Sequence, residues 1–344
     1  MLHVGLDLSR KRLDVHVLDE RGQTLWVDAV PPDADGLRGL VRRFAGEGVW
    51  AAIESMNGAR FVHDQLELAG WEVQIADAAK AKGLAPLACK TDRIDARVLA
   101  ELCWRDLVPA VWLPDPAVRA ERERARFRMH LVRHRSSLKN RVHATLLTHG
   151  VGCPVSDLFG VSGRRLLERL QLPEPWASDV AASLRLIDEL DQEIDRCEAE
   201  LRRLGADHRY VPLLTTVPGI AWVLAYTIAA EIGEIARFDS PSRLAGYTGL
   251  CPRVYQSGQS DRRGSLSKQG PRYLRWALVE ATNHACRHPL YKPRYDRTKK
   301  RLGKQRGPKV ARVELARTLA HAIWHMLTRD QPFAPASAAG PLAA

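Results

Sequence analysis

Apolar residues alternate with polar ones at Val4, Leu6 and Leu8, and again at Leu13, Val15 and Val17, before a turn at Glu20-Arg21-Gly22. A period of two marks a half-buried strand, so the chain is predicted to open with two antiparallel strands, with Leu25–Val27 a candidate third. Leu37, Leu40, Val41 and Phe44 then recur at helical spacing. A short apolar run, Val49–Ile53, ends in Glu54; a helix is predicted from Ala59 to Leu68 and a strand from Glu72 to Ala76. The order β-β-β-α-β-α-β suits an α/β mixed sheet flanked by helices. Over Thr91–Trp104, Ile94, Val98, Leu99 and Leu102 keep helical spacing, which sets Asp92 and Asp95 on one face.

Pro114-Asp115-Pro116 interrupts this pattern, and two prolines so close mark a domain boundary. A long Arg-rich helix is predicted next, over Ala117–His149, with Leu131, Leu138, Val142 and Leu146 as its apolar stripe. In a second helix, Ala177–Leu204, residues Val180, Leu184, Ile187, Leu190 or Asp191, Ile194, Cys197, Leu201 and Leu204 form a coiled-coil seam. An intramolecular helical hairpin and a dimerising arm both satisfy that seam. Further on, Val217-Pro218-Gly219-Ile220 resembles a helix-hairpin-helix turn whose backbone N–H groups could hold a phosphate, with a purely structural turn as the competing reading. Lys292–Arg312 carries a dense run of Lys and Arg with one acid, Asp296, and reads as a flexible basic arm before an apolar helix, Val313–Leu327. The expected division is a domain over 1–113, a helical linker over 114–206, a third segment over 207–329 and a disordered tail over 330–344.

Charge adds a partner class. The 344 residues hold 52 Lys and Arg against 40 Asp and Glu, a formal charge of +12, which favours a polyanion, most often nucleic acid. No run of about 18 apolar residues is present and the N-terminus enters a strand pattern directly, so a cytoplasmic protein without a membrane span is expected. The six cysteines are scattered without a C-x-x-C pair and read as small core residues rather than a zinc site or disulfide framework. The pairs His130/His134 and His321/His325 have no acid or third ligand nearby in sequence to complete a zinc site.

Within a basic chain, four acids stand out. Asp7 on the first strand, Glu54 at the end of a neighbouring strand, and Asp92 and Asp95 on one helix face would converge at one end of the sheet. Hard carboxylate oxygens suit Mg²⁺ or Mn²⁺, and two such ions about 4 Å apart can clamp the attacking and leaving oxygens of phosphoryl transfer. Each acid alone has a structural explanation: Asp92 as an N-cap, Asp95 as a first-turn acid, Glu54 as a turn residue, while Asp14 and Asp19 read as ordinary hairpin and turn residues.

The residues that carry this pattern also carry a resemblance. Gly5-Leu-Asp-Leu-Ser9, Ile53-Glu-Ser55 and Lys90-Thr-Asp-Arg-Ile-Asp-Ala96 resemble the RuvC-like DEDD domain of insertion-sequence transposases of the one-ten/one-sixteen type. Val217-Pro-Gly-Ile220, Phe238, Leu244–Leu250, Cys251-Pro252, Ser257-Gly258 and Gly264–Gly270 with Leu274-Arg275 are similar to the second domain of the same family. The resemblance implies a RuvC/ribonuclease H-like mixed sheet, a coiled-coil segment and a mainly α C-terminal domain. It further implies a DNA transposase in which Asp7, Glu54, Asp92 and Asp95 bind divalent metal and Ser257, at the position matching the family's serine, attacks DNA to form a covalent serine-phosphate intermediate. Taken alone, Ser257 reads as a polar loop residue, with Ser260, Ser265 and Ser267 as nearby competitors.

A structured guide RNA that pairs with donor and target DNA is implied as well, which would relieve the protein of reading sequence. Candidate phosphate contacts are Arg119, Arg126, Arg133, Lys139, Gly219, Lys268, Arg275, Lys299, Lys300 and Arg301. A homodimer or dimer of dimers, nucleoid-associated when acting, would bring the acids and Ser257 together across subunits. Three other readings share parts of the pattern. A Holliday-junction-type endonuclease would use the same acids with water in place of Ser257. An actin-like kinase would need a further Gly-rich phosphate loop, which the sequence lacks. A non-catalytic nucleic-acid-binding protein would tolerate loss of Asp7.

Overall fold

The computed structural model of the protein describes residues 1–84, 92–257 and 260–334, and within them all side chains except those of residues 82, 84, 92–94, 257, 260, 261 and 263. The chain separates into two compact units, Met1–Pro114 and Asp115–Ala344.

In the first unit, strands β1 (Leu2–Leu8), β2 (Leu13–Leu18), β3 (Thr24–Val30), β4 (Val49–Glu54) and β5 (Glu72–Ala76) form one sheet in the order β3-β2-β1-β4-β5. β1 runs antiparallel to β2 and parallel to β4, so the sheet is mixed, as the order of elements predicted. Strand period two sorts side chains between two faces. On one face Val4, Leu6, Val15, Val17, Ala51, Ile53 and Val73 pack with Leu37 and Leu40 of α1 (Ala34–Arg43) and Val62 and Leu66 of α2 (Ala59–Leu68). The other face carries a small cluster in which Ala52 meets Leu99, Leu102 and Cys103 of α4 (Asp92–Trp104), which follows α3 (Ala78–Leu84).

Gly5 sets how close α4 comes to that face. A Cβ at Gly5 would lie 1.8 Å from the carbonyl oxygen of Ala96 and 2.4 Å from the backbone nitrogen of Ala100. Only a residue without a side chain lets helix backbone rest on β1 there. Cys103 lies at the far end of the helix, where its Sγ donates to the Trp50 carbonyl at 3.2 Å, and burial pushes its thiol pKa up to about 12. The core reading of the cysteines thus holds for Cys103, whereas Cys153 is exposed.

The second unit begins with Pro116 as the first residue of α5 (Pro116–Thr148), the helical position where a missing N–H costs nothing. After α6 (Val161–Arg169), α7 (Trp176–Ala206) buries Val180, Ile187, Ile194 and Leu201, one residue every seven. Arg124 pairs with Glu200 (3.3 Å), Arg128 with Glu198, Arg135 with Asp191, and Arg141 with Asp179 (2.9 Å). Rising numbers on α5 meet falling numbers on α7, so the two helices are antiparallel neighbours. The remaining elements are α8 (Val211–Leu214), α9 (Trp222–Ile232), α10 (Pro241–Tyr247), strands β6 (Pro252–Ser257) and β7 (Ser260–Leu266), α11 (Arg272–Ala285) and α12 (Lys292–Arg329). Their core gathers Ile228 and Ile232 of α9, Leu274 and Leu278 of α11, and Leu319 and Ile323 of α12.

One ion pair ties α5 into this core. Arg126 Nε and Nη2 donate to the two carboxylate oxygens of Glu231 at 2.7 and 2.9 Å, and Glu231 is fully buried. Those hydrogen bonds hold the Arg126 pKa above its ordinary value. Arg122 adds donors to the Ala230 and Glu231 carbonyls, both at 2.8 Å. Glu231 is the buried member and Arg126 the half-exposed one, so Arg126→Ala, which strands the buried carboxylate, is expected to destabilise the protein by about 3–5 kcal/mol in urea denaturation.

Two expectations are corrected here. Lys292–Arg312 is helical, not a flexible arm: α12 breaks at Gly303 (φ 76°, ψ 178°) and folds back, and a Cβ at Gly307 would lie 2.4 Å from the Lys299 carbonyl oxygen. Thr298 Oγ1 donates to Glu314 at 2.8 Å across the bend, and Arg301 reaches the same carboxylate at 3.8 Å. The positive run is spread over a helical surface because glycine and an internal acid fix the turn. The start of the expected disordered tail is also placed: Phe333 packs on the core and its N–H donates to Thr216 Oγ1 at 2.8 Å. Residues 335–344 lie outside the described residues.

Candidate functional site

Asp7 and Glu54 follow the paired residues Leu6 and Ile53 of parallel neighbours, so they stand side by side at the ends of β1 and β4. Asp7 shares a face with Gly5, and Glu54 shares one with Ala52; both face the α4 side of the sheet. Because Cys103 sits by Trp50 and Ala96 by Gly5, α4 runs antiparallel to β1 and its N-terminal turns lie toward Asp7. Asp95 immediately precedes Ala96 and is half-buried, as are Asp7 and Glu54. Asp92 is the first residue of α4, and its side chain lies outside the described residues. Among the described residues, no three His, Cys, Asp or Glu side chains close around one point.

A fifth acid belongs to the same face. Asp14, read from sequence as an ordinary hairpin residue, pairs in register with Asp7 and is only 3% exposed. Arg12 Nε and Nη2 both donate to its Oδ1, at 3.0 and 2.6 Å, while Oδ2 is buried with no hydrogen-bond partner. The antiparallel alternation already carried the signal: Asp14 falls on the polar phase of its strand, directly across from Asp7.

Ser257 ends β6 and pairs in register with Ser260 of β7, so it stands at the tip of a β-hairpin rather than in an irregular loop. Its side chain, with Gly258 and Gln259, is outside the described residues. The base of the hairpin is anchored by backbone. Ser267 N–H donates to Cys251 O at 2.8 Å and Lys268 N–H to Gly249 O at 3.1 Å, with Lys268 in the left-handed region at φ 54°. Arg275 Nη1 donates to the Thr248 carbonyl at 3.1 Å, which gives that side chain a positioning role.

The other sequence-proposed cations fall into separate groups. Arg126 is held by Glu231, Lys139 lies 4.9 Å from the Phe159 ring, and Arg133 lies 5.5 Å from the Tyr273 ring. Arg119 lies on the first turn of α5. Lys299 and Lys300 are exposed on α12, and Arg301 reaches Glu314. Gly219 has φ 85°, and a Cβ there would sit 2.3 Å from the Ala281 carbonyl oxygen, so the turn needs glycine in order to meet α11. Among the described residues, no helix is long and apolar enough to cross a membrane.

Comparison with known proteins bears on both units. Residues 4–150 match a family model described as a DEDD transposase, and residues 211–297 match one described as the transposase IS116/IS110/IS902 family. A "Probable family 20 transposase" of Pseudomonas aeruginosa is 27% identical, the alignment covering 96% of this chain and 98% of that one. The transposase for insertion sequence element IS1328 of Yersinia enterocolitica is 26% identical over the same shares of the two chains. The transposase for IS1111A of Coxiella burnetii is 28% identical over 71% of this chain and 68% of its own. With family models matching successive parts of one chain and relatives aligned along nearly all of it, the chain belongs to the IS116/IS110/IS902 family of insertion-sequence transposases.

Proposed function

We propose that the protein cuts and rejoins DNA for its insertion sequence through a divalent-metal site at Asp7, Glu54, Asp92 and Asp95 and a covalent intermediate at Ser257. The observation that carries this reading is the placing of Asp7 and Glu54 at adjacent strand ends, on the face along which α4 brings Asp95. The donor set, carboxylate oxygens alone, fits Mg²⁺ or Mn²⁺. When bound, such an ion would neutralise the crowded acids and polarise phosphate oxygens.

The chain's own residues do the rest. Ser257 Oγ bonds to phosphorus as one ester P–O bond breaks; its proton goes to a base and the departing strand end takes up a proton. Attack by a strand hydroxyl on the serine ester then rejoins DNA and regenerates Ser257. The RuvC-like identity of the sheet, a coiled-coil role for α5 and α7 in dimerisation, and a structured guide RNA belong to the same proposal. The basic surface of α12 supports a nucleic-acid partner.

Strand exchange between donor and target plasmids, with the co-purified nucleic acid present, tests this reading. Chelation by EDTA is expected to stop exchange and added Mn²⁺ to restore it, scored by product DNA on a gel. Exchange that persists in EDTA would refute the metal site. Strand cleavage by Ser257→Ala without a protein-DNA adduct would instead favour the water-using endonuclease.

A further inference from the structure

Most arginines of α5 are neutralised inside the protein, which makes the exceptions informative. The guanidinium groups of Arg126, Arg133 and Arg272 lie 5.3, 5.5 and 4.8 Å from the centre of a single ring, Tyr273. Arg126 has Glu231 as its counter-charge. Among the described residues, Arg133 and Arg272 pair with no carboxylate, and both are exposed. Among the described residues, Arg272 donates only to the neighbouring Tyr273 hydroxyl, at 2.9 Å. Like charges gathered around one aromatic ring repel unless an anion joins them.

Beside these groups, α5 and α11 line an open cavity of about 490 Å³. Arg133, Ser136 and Asn140 line it from α5, and Arg272, Tyr273 and Trp276 line it from α11. The volume falls in the range of small-ligand pockets, ~300–1,000 Å³. Its chemistry is selective: two unpaired guanidiniums suit a phosphate, the half-buried Trp276 ring offers a stacking face, and Ser136 and Asn140 add hydroxyl and amide groups.

We propose that this cavity binds one unpaired nucleotide of a nucleic-acid strand, with its phosphate on Arg133 and Arg272 and its base against Trp276. A base held in a duplex cannot enter, so the site selects single-stranded or flipped positions. The assignment rests on the nucleic-acid reading above and refines it by naming where a strand would lose its pairing.

The test is fluorescence anisotropy with the full chain and labelled oligonucleotides of one sequence: single-stranded RNA, single-stranded DNA, a duplex, and a single strand with internal abasic sites. The exposed pair Arg133→Gln/Arg272→Gln is expected to weaken single-strand binding on the order of 10-fold or more and to flatten its salt dependence by about 0.7 in log–log slope, one phosphate contact's worth. Trp276→Leu should weaken intact strands by roughly 5- to 100-fold while barely changing the abasic strand. Arg124→Gln, on the α7-facing side, should bind as the wild type does. The tighter of the RNA and DNA arms identifies the strand. Wild-type affinity in the double arginine variant, equal binding of abasic and intact strands, or an equal loss on duplex would each overturn the site while leaving the transposase reading intact. A wild-type chain that binds none of the oligonucleotides would overturn both.

Discussion

Asp7→Asn and Ser257→Ala are each expected to abolish strand exchange, by roughly 10³-fold or more, and the double variant is expected to be scarcely worse than either single one. The near-equality matters more than the loss itself. Groups that serve one chemical step fail together, because removing the second adds nothing once the step has stopped. Two independent contributions would instead multiply. The two variants should differ in a second readout: Ser257→Ala removes the only oxygen proposed to carry the DNA adduct, so no protein-linked strand should survive denaturation and gel electrophoresis. Asp7→Asn keeps that oxygen but loses a carboxylate charge on the face shared with Glu54, Asp14 and α4. Metal supplied in excess should therefore restore some activity to Asp7→Asn and none to Ser257→Ala. A double variant with a loss near the product of the single losses would separate the acids from the serine.

Gly5→Ala is expected to be the most damaging single-methyl change in the first unit. The new Cβ would overlap the carbonyl oxygen of Ala96 at 1.8 Å, and both atoms belong to rigid backbone, one in β1 and one in α4. No side chain can swing aside, so the helix must lift from the sheet. Overpacking of this kind costs about 3 kcal/mol or more, and for a unit of this size a fall in Tm on the order of 10 °C follows. The same displacement carries Asp95 away from Asp7, so strand exchange should fall even at temperatures where the variant stays folded. Gly39→Ala provides the contrast. Gly39 lies within α1 with open space around its Cβ position, and alanine there should be neutral or stabilising by up to about 1 kcal/mol. A Gly5→Ala protein with wild-type melting would mean that α4 does not rest on β1 as described.

Parts of this architecture are legible in the chain because they depend on local period. The alternation of Val4, Leu6 and Leu8 and of Val15 and Val17 places the strands, and the heptad of Val180, Ile187, Ile194 and Leu201 places the buried stripe of α7. The acids could be picked out from sequence for the same reason, since Asp7 and Glu54 sit at the ends of recognisable strands. Asp14 was not, although its strand was: its role depends on which residue of β1 stands across from it. The fold-back at Gly303 escaped as well, because a glycine within a basic run signals flexibility unless the acid that captures it, Glu314, is known to lie opposite.

Sequence by itself therefore determined the elements of the first unit, the long helices α5 and α7 and the family, since hydrophobic period and short motifs are carried by residues close together in the chain. Tertiary structure alone decided which charges are spent and which are available. Arg126 and Arg133 lie on the same helix and look alike in sequence. One is bound to a buried Glu231 more than a hundred residues away, and the other faces a cavity with no counter-ion among the described residues. Electrostatic neutralisation depends on distance in space, which a linear pattern does not record.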